Sequence, residues 1–496
     1  MKLRFYILLV FICTFSFSVF AFVGLDNTHE ILTYDTYEIF VDKKEPLRVH
    51  VSAEVRIKGD TLYMNPNCPN YDYPEGWTSF VKDLTITTLK GKPVSYEYVS
   101  KSKWVIEPNR EEVLKLDYEV DLSFTKIRWD VGNEQAGFTD GKSVYTVSKA
   151  LFIYSNMDSA SMVSFNLPSQ WNLAVPWNLM KDRNEYTFYV ANRETLLENS
   201  LVYGDFHLEK IQHGAFQFTL ALLGDARKDS ELFNSILSKI TRAYLKIFDK
   251  TPTSNYLVTM FYAALNDGES FNTSLTFTLK DPINEHNKII WANQMAHELF
   301  HYWNSDLIIA ENRTDRQWFS EGTAEYYANM TLIREGIIPE SIFQNKVEKV
   351  LGLYQNYRGW REGKTSLLEA GKNKGVHRFL VYNGGWAVAM ALDIEIIENS
   401  KGQKNLDDFM RSMFDKFSTT PYTYQDLVET ASIVAGTDLT DFFAKYVEGT
   451  ELLPLNEYLG KLGYTMLDII YEAEMYLVKK SDDQLGLHDT WLRKKP

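Results

Sequence analysis

The stretch WANQMAHELFHYWNSDLIIAENRTDRQWFSEGTAEYY, residues 291–327, restricts this chain more than any other part of it. His297 and His301 are four residues apart, and Glu298 directly follows the first. A helix turns once in about 3.6 residues, so both imidazoles lie on one face and can reach one metal ion. Glu298 can then turn toward a water beside that ion. The flanking residues Trp291 to Met295 include neither Pro nor Gly and suit a helix packed in a core. A buried helix whose histidines are satisfied by core hydrogen bonds would carry the same motif. A zinc site needs a third protein ligand. Trp318 to Tyr327 reads as a second helix with a carboxylate at its start, Glu321, which is the expected third ligand. Glu325, one turn on along the same face, is expected to orient a ligating histidine from behind. The motif thus predicts one Zn2+ ion held by His297, His301 and Glu321.

The chain has 496 residues, 45% of them hydrophobic, enough for two or three domains with real cores. Its net charge of −14 argues against nucleic acid and against anionic membrane surfaces as partners. Residues 1–21 read as a signal peptide. Lys2 and Arg4 open it, Phe5 to Phe17 is densely apolar, and Val19-Phe20-Ala21 suits cleavage after Ala21. A secreted or periplasmic protein is expected, the alternative being an uncleaved N-terminal membrane anchor. No later stretch reads as long and apolar enough to span a bilayer, so no stable membrane insertion is expected after cleavage. Cleavage leaves Cys68 as the one cysteine, which excludes an internal disulfide.

The periodicities predict a multidomain α+β chain. Residues 22–224 alternate as short strands between Pro, Gly, Asn and Asp, and read as a β-sandwich-like domain with no chemistry of its own. Residues 225–334 switch to helical spacing from about 229. They then give strands at 256–262 and 274–279, with Asn266-Asp267-Gly268-Glu269 reading as a turn between them, and carry the metal motif. Residues 335–455 are largely helical, with Asp393 mid-helix among apolar residues as a structural ion-pair partner. Residues 456–496 read as a polar tail.

His297-Glu298-Leu299-Phe300-His301-Tyr302-Trp303-Asn304 followed by Trp318-Phe319-Ser320-Glu321-Gly322 resembles the glutamate zincins, or gluzincins. The Trp-Asn after the second histidine and the Trp-Phe-Ser-Glu-Gly resemble the glycyl aminopeptidase family, a relative of the aminopeptidase N family. Leu201 to Phe206 looks like that family's close of the β domain. Gly268-Glu269-Ser270-Phe271-Asn272-Thr273-Ser274 resembles its edge-strand motif, and Tyr382 with Gly384 its Tyr-x-x-Gly. There are departures. The Gly-x-Met-Glu-Asn of aminopeptidase N is absent, and Asp267-Gly268 replaces the glycyl family's double Gly. The family's usual C-terminal PDZ domain has no counterpart in the residues after Pro454.

The resemblance implies a thermolysin-like catalytic domain and an exported zinc peptidase, most simply an aminopeptidase acting on peptide substrates. Glu298 would be the general base and Tyr382 an oxyanion donor. Glu269 is either the partner of a substrate α-amino group or a solvated carboxylate. Gly268 either lets substrate backbone approach or simply makes a turn. A zinc endopeptidase on the same core, and a non-catalytic peptide-binding protein on a peptidase scaffold, are the rival readings.

Overall fold

The computed structural model describes residues 34–493 apart from 71, 108–110, 131, 182, 185, 249–254 and 482–485. The expected signal peptide lies outside the described residues. The chain opens with a β-rich domain. A seven-stranded sheet runs in the order 178–179, 187–190, 161–166, 35–41, 48–56, 113–121, 81–88. Its strands alternate as the sequence does: in Arg48–Arg56 and Val113–Asp121 every second residue is buried. One four-stranded sheet pairs 61–63 with 103–106. Another has the order 172–174, 200–204, 143–147, 137–139.

The last of these sheets joins the two halves of the molecule. Ser143–Val147 and Ser200–Gly204 are buried at every residue, with no polar face. Val144, Val147, Leu201 and Tyr203 point into the core of the β domain. Tyr145 and Val202 point the other way, against Ala221, Leu257 and Phe261 of the next sheet. Strands covered on both sides are mostly apolar for that reason, here with Ser143, Thr146 and Ser200 as their buried polar residues.

The next sheet has five strands in the order His207–His213, Phe216–Leu222, Asn255–Tyr262, Ser274–Leu279, Asp267–Ser270. The middle three are parallel, and the outer two pair antiparallel to them. This corrects the sequence reading twice. The first two strands precede residue 224, yet pair into the sheet of the second half, so the boundary falls near residue 205. The switch to helical spacing marks where strands give way to the helix Ser230–Phe248, not which sheet they join. Asp267–Ser270, expected as a turn from its Asn, Asp and Gly, is instead the edge strand, as the family resemblance implied.

Helices complete this half around one core that runs from Ile211 to Leu492. Leu380–Asn399 does meet the length and apolarity of a membrane span, contrary to the sequence expectation, but most of it is buried within the protein. It is hydrophobic all round because other helices cover it all round. The expected polar tail is also part of this core. Residues Tyr464–Ile469 and Glu474–Lys479 form a hairpin docked on the helix Glu340–Asn356. Gln344 Nε2 donates to Leu477 O at 2.7 Å and Asn356 Nδ2 to Ile470 O at 2.8 Å. Trp491, 1% exposed, donates to Tyr326 Oη at 2.8 Å. Tyr326 in turn donates to the fully buried Asp393 at 2.6 Å, which also accepts from Leu406 N and faces Arg334. Asp393 is thus the structural ion-pair partner its apolar surroundings suggested.

Candidate metal centre and active site

The helix Lys288–His301 buries Trp291, Ala292, Met295, Ala296, Leu299 and Phe300, which turns His297 and His301 to its remaining face. The chain leaves this helix through a wide π turn, Tyr302–Leu307, and re-enters helix at Gln317–Arg334. That second helix carries Glu321 up to the histidines. His297 Nε2 lies 3.1 Å from His301 Nε2 and 3.3 Å from Glu321 Oε2, and His301 Nε2 lies 3.4 Å from Glu321 Oε2.

The hydrogen bonds behind these atoms show what they can hold. His297 Nδ1 donates to Glu325 Oε2 at 3.2 Å, so its Nε2 lone pair faces the cluster. His301 Nδ1 donates to Asn304 Oδ1 at 3.2 Å, with Ser305 Oγ also at 3.1 Å, and its Nε2 lone pair faces the same point. Asn304 is oriented by donating to Ser320 O and Thr323 Oγ1. With the proton of each ring on Nδ1, three lone pairs converge on one point, an arrangement that suits a cation. For ligand bonds of about 2.0–2.1 Å, the donor–donor edge of a tetrahedral zinc site is about 3.3–3.4 Å. The three separations fit that edge, and no other His, Cys, Asp or Glu cluster of this kind occurs among the described residues.

Glu325 takes the position expected of it. Beyond His297, it accepts from Asn293 Nδ2 at 3.2 Å and pairs with Lys346 Nζ at 2.9 Å. Burial opposes its charge, but the His297 hydrogen bond and Lys346 outweigh burial and hold its pKa at about 2. The other oxygen of Glu321 meets Lys374 Nζ at 2.8 Å.

The helix Gln317–Arg334 and the buried helix Gly385–Asn399 cross at bare backbone. A Cβ on Gly322 would lie 2.4 Å from the Gly385 main chain. This contact, next to Glu321, sets the segment before Gly385 against the metal centre. Tyr382, in the π turn Leu380–Gly384, stacks on the His297 ring with centroids 6.0 Å apart. Burial, and after it the Glu321 carboxylate, pushes its phenol pKa well up, so it stays a proton donor. The Arg378 guanidinium lies over the Tyr382 ring at 4.7 Å.

Gly268, Glu269, Glu298, His301, Glu321 and Tyr382 line one cleft of about 440 Å³. His297 and Glu325 stand behind it. Burial raises the Glu298 carboxyl pKa above its ordinary range, as suits a group that takes and returns a proton. Gly268 packs against that base: a Cβ there would lie 3.0 Å from Glu298 Cγ and 3.1 Å from Gln294 Nε2. Glu269 pairs backbone with Thr276, and burial together with Glu298 pushes its pKa up to about 8.

Comparison with known proteins agrees with this arrangement. Residues 37–205 match the model of the peptidase M61 N-terminal domain, and residues 291–378 match that of the M61 glycyl aminopeptidase. The two matches together take in more than half of the chain.

The chain belongs to the M61 glycyl aminopeptidase family.

A crystal structure of an aminopeptidase N family protein from Idiomarina loihiensis shares the fold, with TM-score 0.73 and 18% identity over 87% of this chain and 79% of that one. No curated protein matches the chain. The first family match ends at residue 205, next to the boundary that the sheet pairing marks.

Several residues of this M61 centre went unassigned in the sequence. Asn304 was visible as part of the Trp-Asn resemblance, but its hold on His301 was not. Lys346 and Lys374 are ordinary lysines in a chain rich in them. Gln135 lines the cleft from the β domain, which showed no chemistry by spacing. It sits on a short turn, Asn133–Gln135, whose Glu134 is buried behind it and accepts from Thr278 Oγ1 at 3.0 Å.

Proposed function

We propose that this M61 peptidase is an exported zinc aminopeptidase built on a thermolysin-like catalytic domain, removing N-terminal residues from peptides. The observation that carries this reading is the convergence of His297 Nε2, His301 Nε2 and Glu321 Oε2 beside Glu298 and Tyr382 in one cleft. A zinc ion held by those three donors supplies Lewis acidity at that point.

The chain's own groups do the rest. The edge strand Asp267–Ser270 has no strand on its outer side among the described residues, so an extended peptide can align along it. Glu269 meets the substrate ammonium, whose charge restores ionisation to a carboxyl otherwise held neutral near neutral pH. Glu298 accepts a proton from the attacking water as the water oxygen bonds to the scissile carbon. Tyr382 donates a hydrogen bond to the carbonyl oxygen as it gains charge. Glu298 then passes the proton to the amide nitrogen as the C–N bond breaks. Glu325, through His297, and Asn304, through His301, hold the donors in place. Export rests on Lys2, Arg4 and the apolar run after them, ending at Ala21.

The test is hydrolysis of short peptides with free and with acetylated N-termini by purified protein, stripped with a chelator and then reloaded with zinc. Zinc-dependent cleavage confined to free amines is expected. Equal rates on acetylated peptides would show an endopeptidase, and no cleavage of a broad peptide library would show a binding protein.

A further inference from the structure

The peptidase reading uses the carboxylates of the cleft and leaves its cations unexplained. Arg313, Arg316, Lys374 and Arg378 line the same cavity as Glu269 and Glu298. The acids Asp267, Glu269 and Glu298 come from the edge strand and the motif helix. The cations come from other segments: the turn that runs into the helix Gln317–Arg334, and the stretch leading to Tyr382. Lys374 is engaged by Glu321. Arg313 and Arg378 are not engaged in this way, whereas Arg316 is paired with Asp315. Arg313 and Arg378 are exposed and make no ion pair within 4 Å among the described residues, although the Arg378 guanidinium lies over the Tyr382 ring.

Arg316 is the most informative of the three. It is 6% exposed, its Nη1 meets Asp315 at 2.6 Å, and its guanidinium lies over the Tyr424 ring at 4.7 Å. Its Nε has no hydrogen-bond partner. Leaving a buried charged donor unmade is costly, and the cost is removed when an acceptor arrives. Asp306 also lines this part of the cleft, with burial holding its carboxyl well above the usual range, so Asp315 is the carboxylate that pairs with the guanidinium. Guanidinium forks match a carboxylate in shape as well as charge.

We propose that Arg313, Arg316 and Arg378 bind a substrate carboxylate, the free C-terminus of a short peptide, so that substrates are held by both ends. The inference rests on the aminopeptidase reading, which puts the ammonium at Glu269. A cavity of about 440 Å³ is of the size that encloses a small ligand, in keeping with di- and tripeptides. The same guanidinium chemistry would also accept an acidic side chain, and the test separates the two sources.

Three substrates are compared on the zinc-loaded full chain: an Ala-Ala-Ala free acid, its C-terminal amide, and an Ala-Glu-Ala amide. The amide is expected to show a KM about 10- to 100-fold above that of the acid, the loss of a hydrogen-bonded charge, with kcat little changed. Arg313→Gln should bring the acid-over-amide ratio in KM close to one. Arg378→Gln should do the same and also alter kcat through Tyr382, so the Arg313 variant reads the binding effect alone. Equal KM for acid and amide overturns the inference while leaving the aminopeptidase reading intact. Recovery of low KM by the Ala-Glu-Ala amide overturns it in favour of an acidic side-chain site. Failure to cleave any of the three overturns the inference together with the reading it rests on.

Discussion

His297 Nδ1 donates to Glu325 Oε2, and the same carboxylate is fixed from its other side by Lys346. The pair decides which nitrogen of His297 is free for a metal. Glu325→Gln weakens the acceptor and removes the charge facing Lys346. Zinc affinity is expected to fall about 10- to 100-fold, read by titration against a chromogenic chelator. Unchanged affinity would mean that the ring is oriented by packing alone.

Glu298 sits next to the ligands but donates nothing to the cluster. Glu298→Gln is expected to keep zinc at the level of the parent protein while kcat drops about 10²- to 10⁴-fold. Metal content by elemental analysis and turnover of a free-amine peptide check the two halves. Full activity in this variant would remove Glu298 from the base role.

Gly322→Ala places a methyl group where the Gly385 backbone lies 2.4 Å away. The helices must separate, at a cost of about 1–3 kcal/mol in urea unfolding. Because Glu321 precedes the contact and Tyr382 is three residues from its other side, zinc affinity should fall as well. A bulkier replacement such as Gly322→Val is expected not to fold, so alanine is the informative substitution.

Glu134 carries a pKa of about 7, raised from its ordinary 4.5 by burial and then by Asp267. The folded protein therefore holds this proton more tightly than the unfolded chain does. Its contribution is complete below pH 4.5 and is lost as pH rises to about 7. Glu134→Gln keeps an acceptor for Thr278 without the charge. It should raise stability at pH 8 by about 1–3 kcal/mol and flatten the decline between pH 5 and 7, measured by urea titrations across that range.

Trp491→Ala removes a buried indole and leaves Tyr326 Oη without its donor. A loss of about 3–5 kcal/mol is expected in the same assay. A change near zero would return the last residues to the status of a tail.

The candidate metal centre was legible because its chemistry demands fixed residue types: counting turns pairs His297 with His301 and Glu321 with Glu325, and Glu321 stood out as a carboxylate at the start of the second helix. Asp393 was legible for a similar reason, since a lone carboxylate among apolar residues needs a partner. What spacing could not convey was which elements meet. The strands at 207–222 look like the strands before them, and only pairing assigns them to the catalytic sheet. Asp267-Gly268 has turn chemistry, yet pairing with Thr278 and Phe277 holds it extended. The hairpin after residue 463 is short and buries few of its residues, and its docking depends on Gln344 and Asn356, more than a hundred residues earlier. Gln135 reaches the cleft only because a sheet of the β domain lies against the catalytic sheet.

That shared sheet sets what can be handled, inherited or broken as a unit. Ser143–Val147 and Ser200–Gly204 have no side made for water. A catalytic fragment expressed without them would present Ala221, Leu257 and Phe261 bare to solvent and should precipitate. The β domain is therefore no detachable accessory but one wall of the enzyme, and a protease nick or frameshift within it should abolish peptidase activity as surely as damage to the histidines.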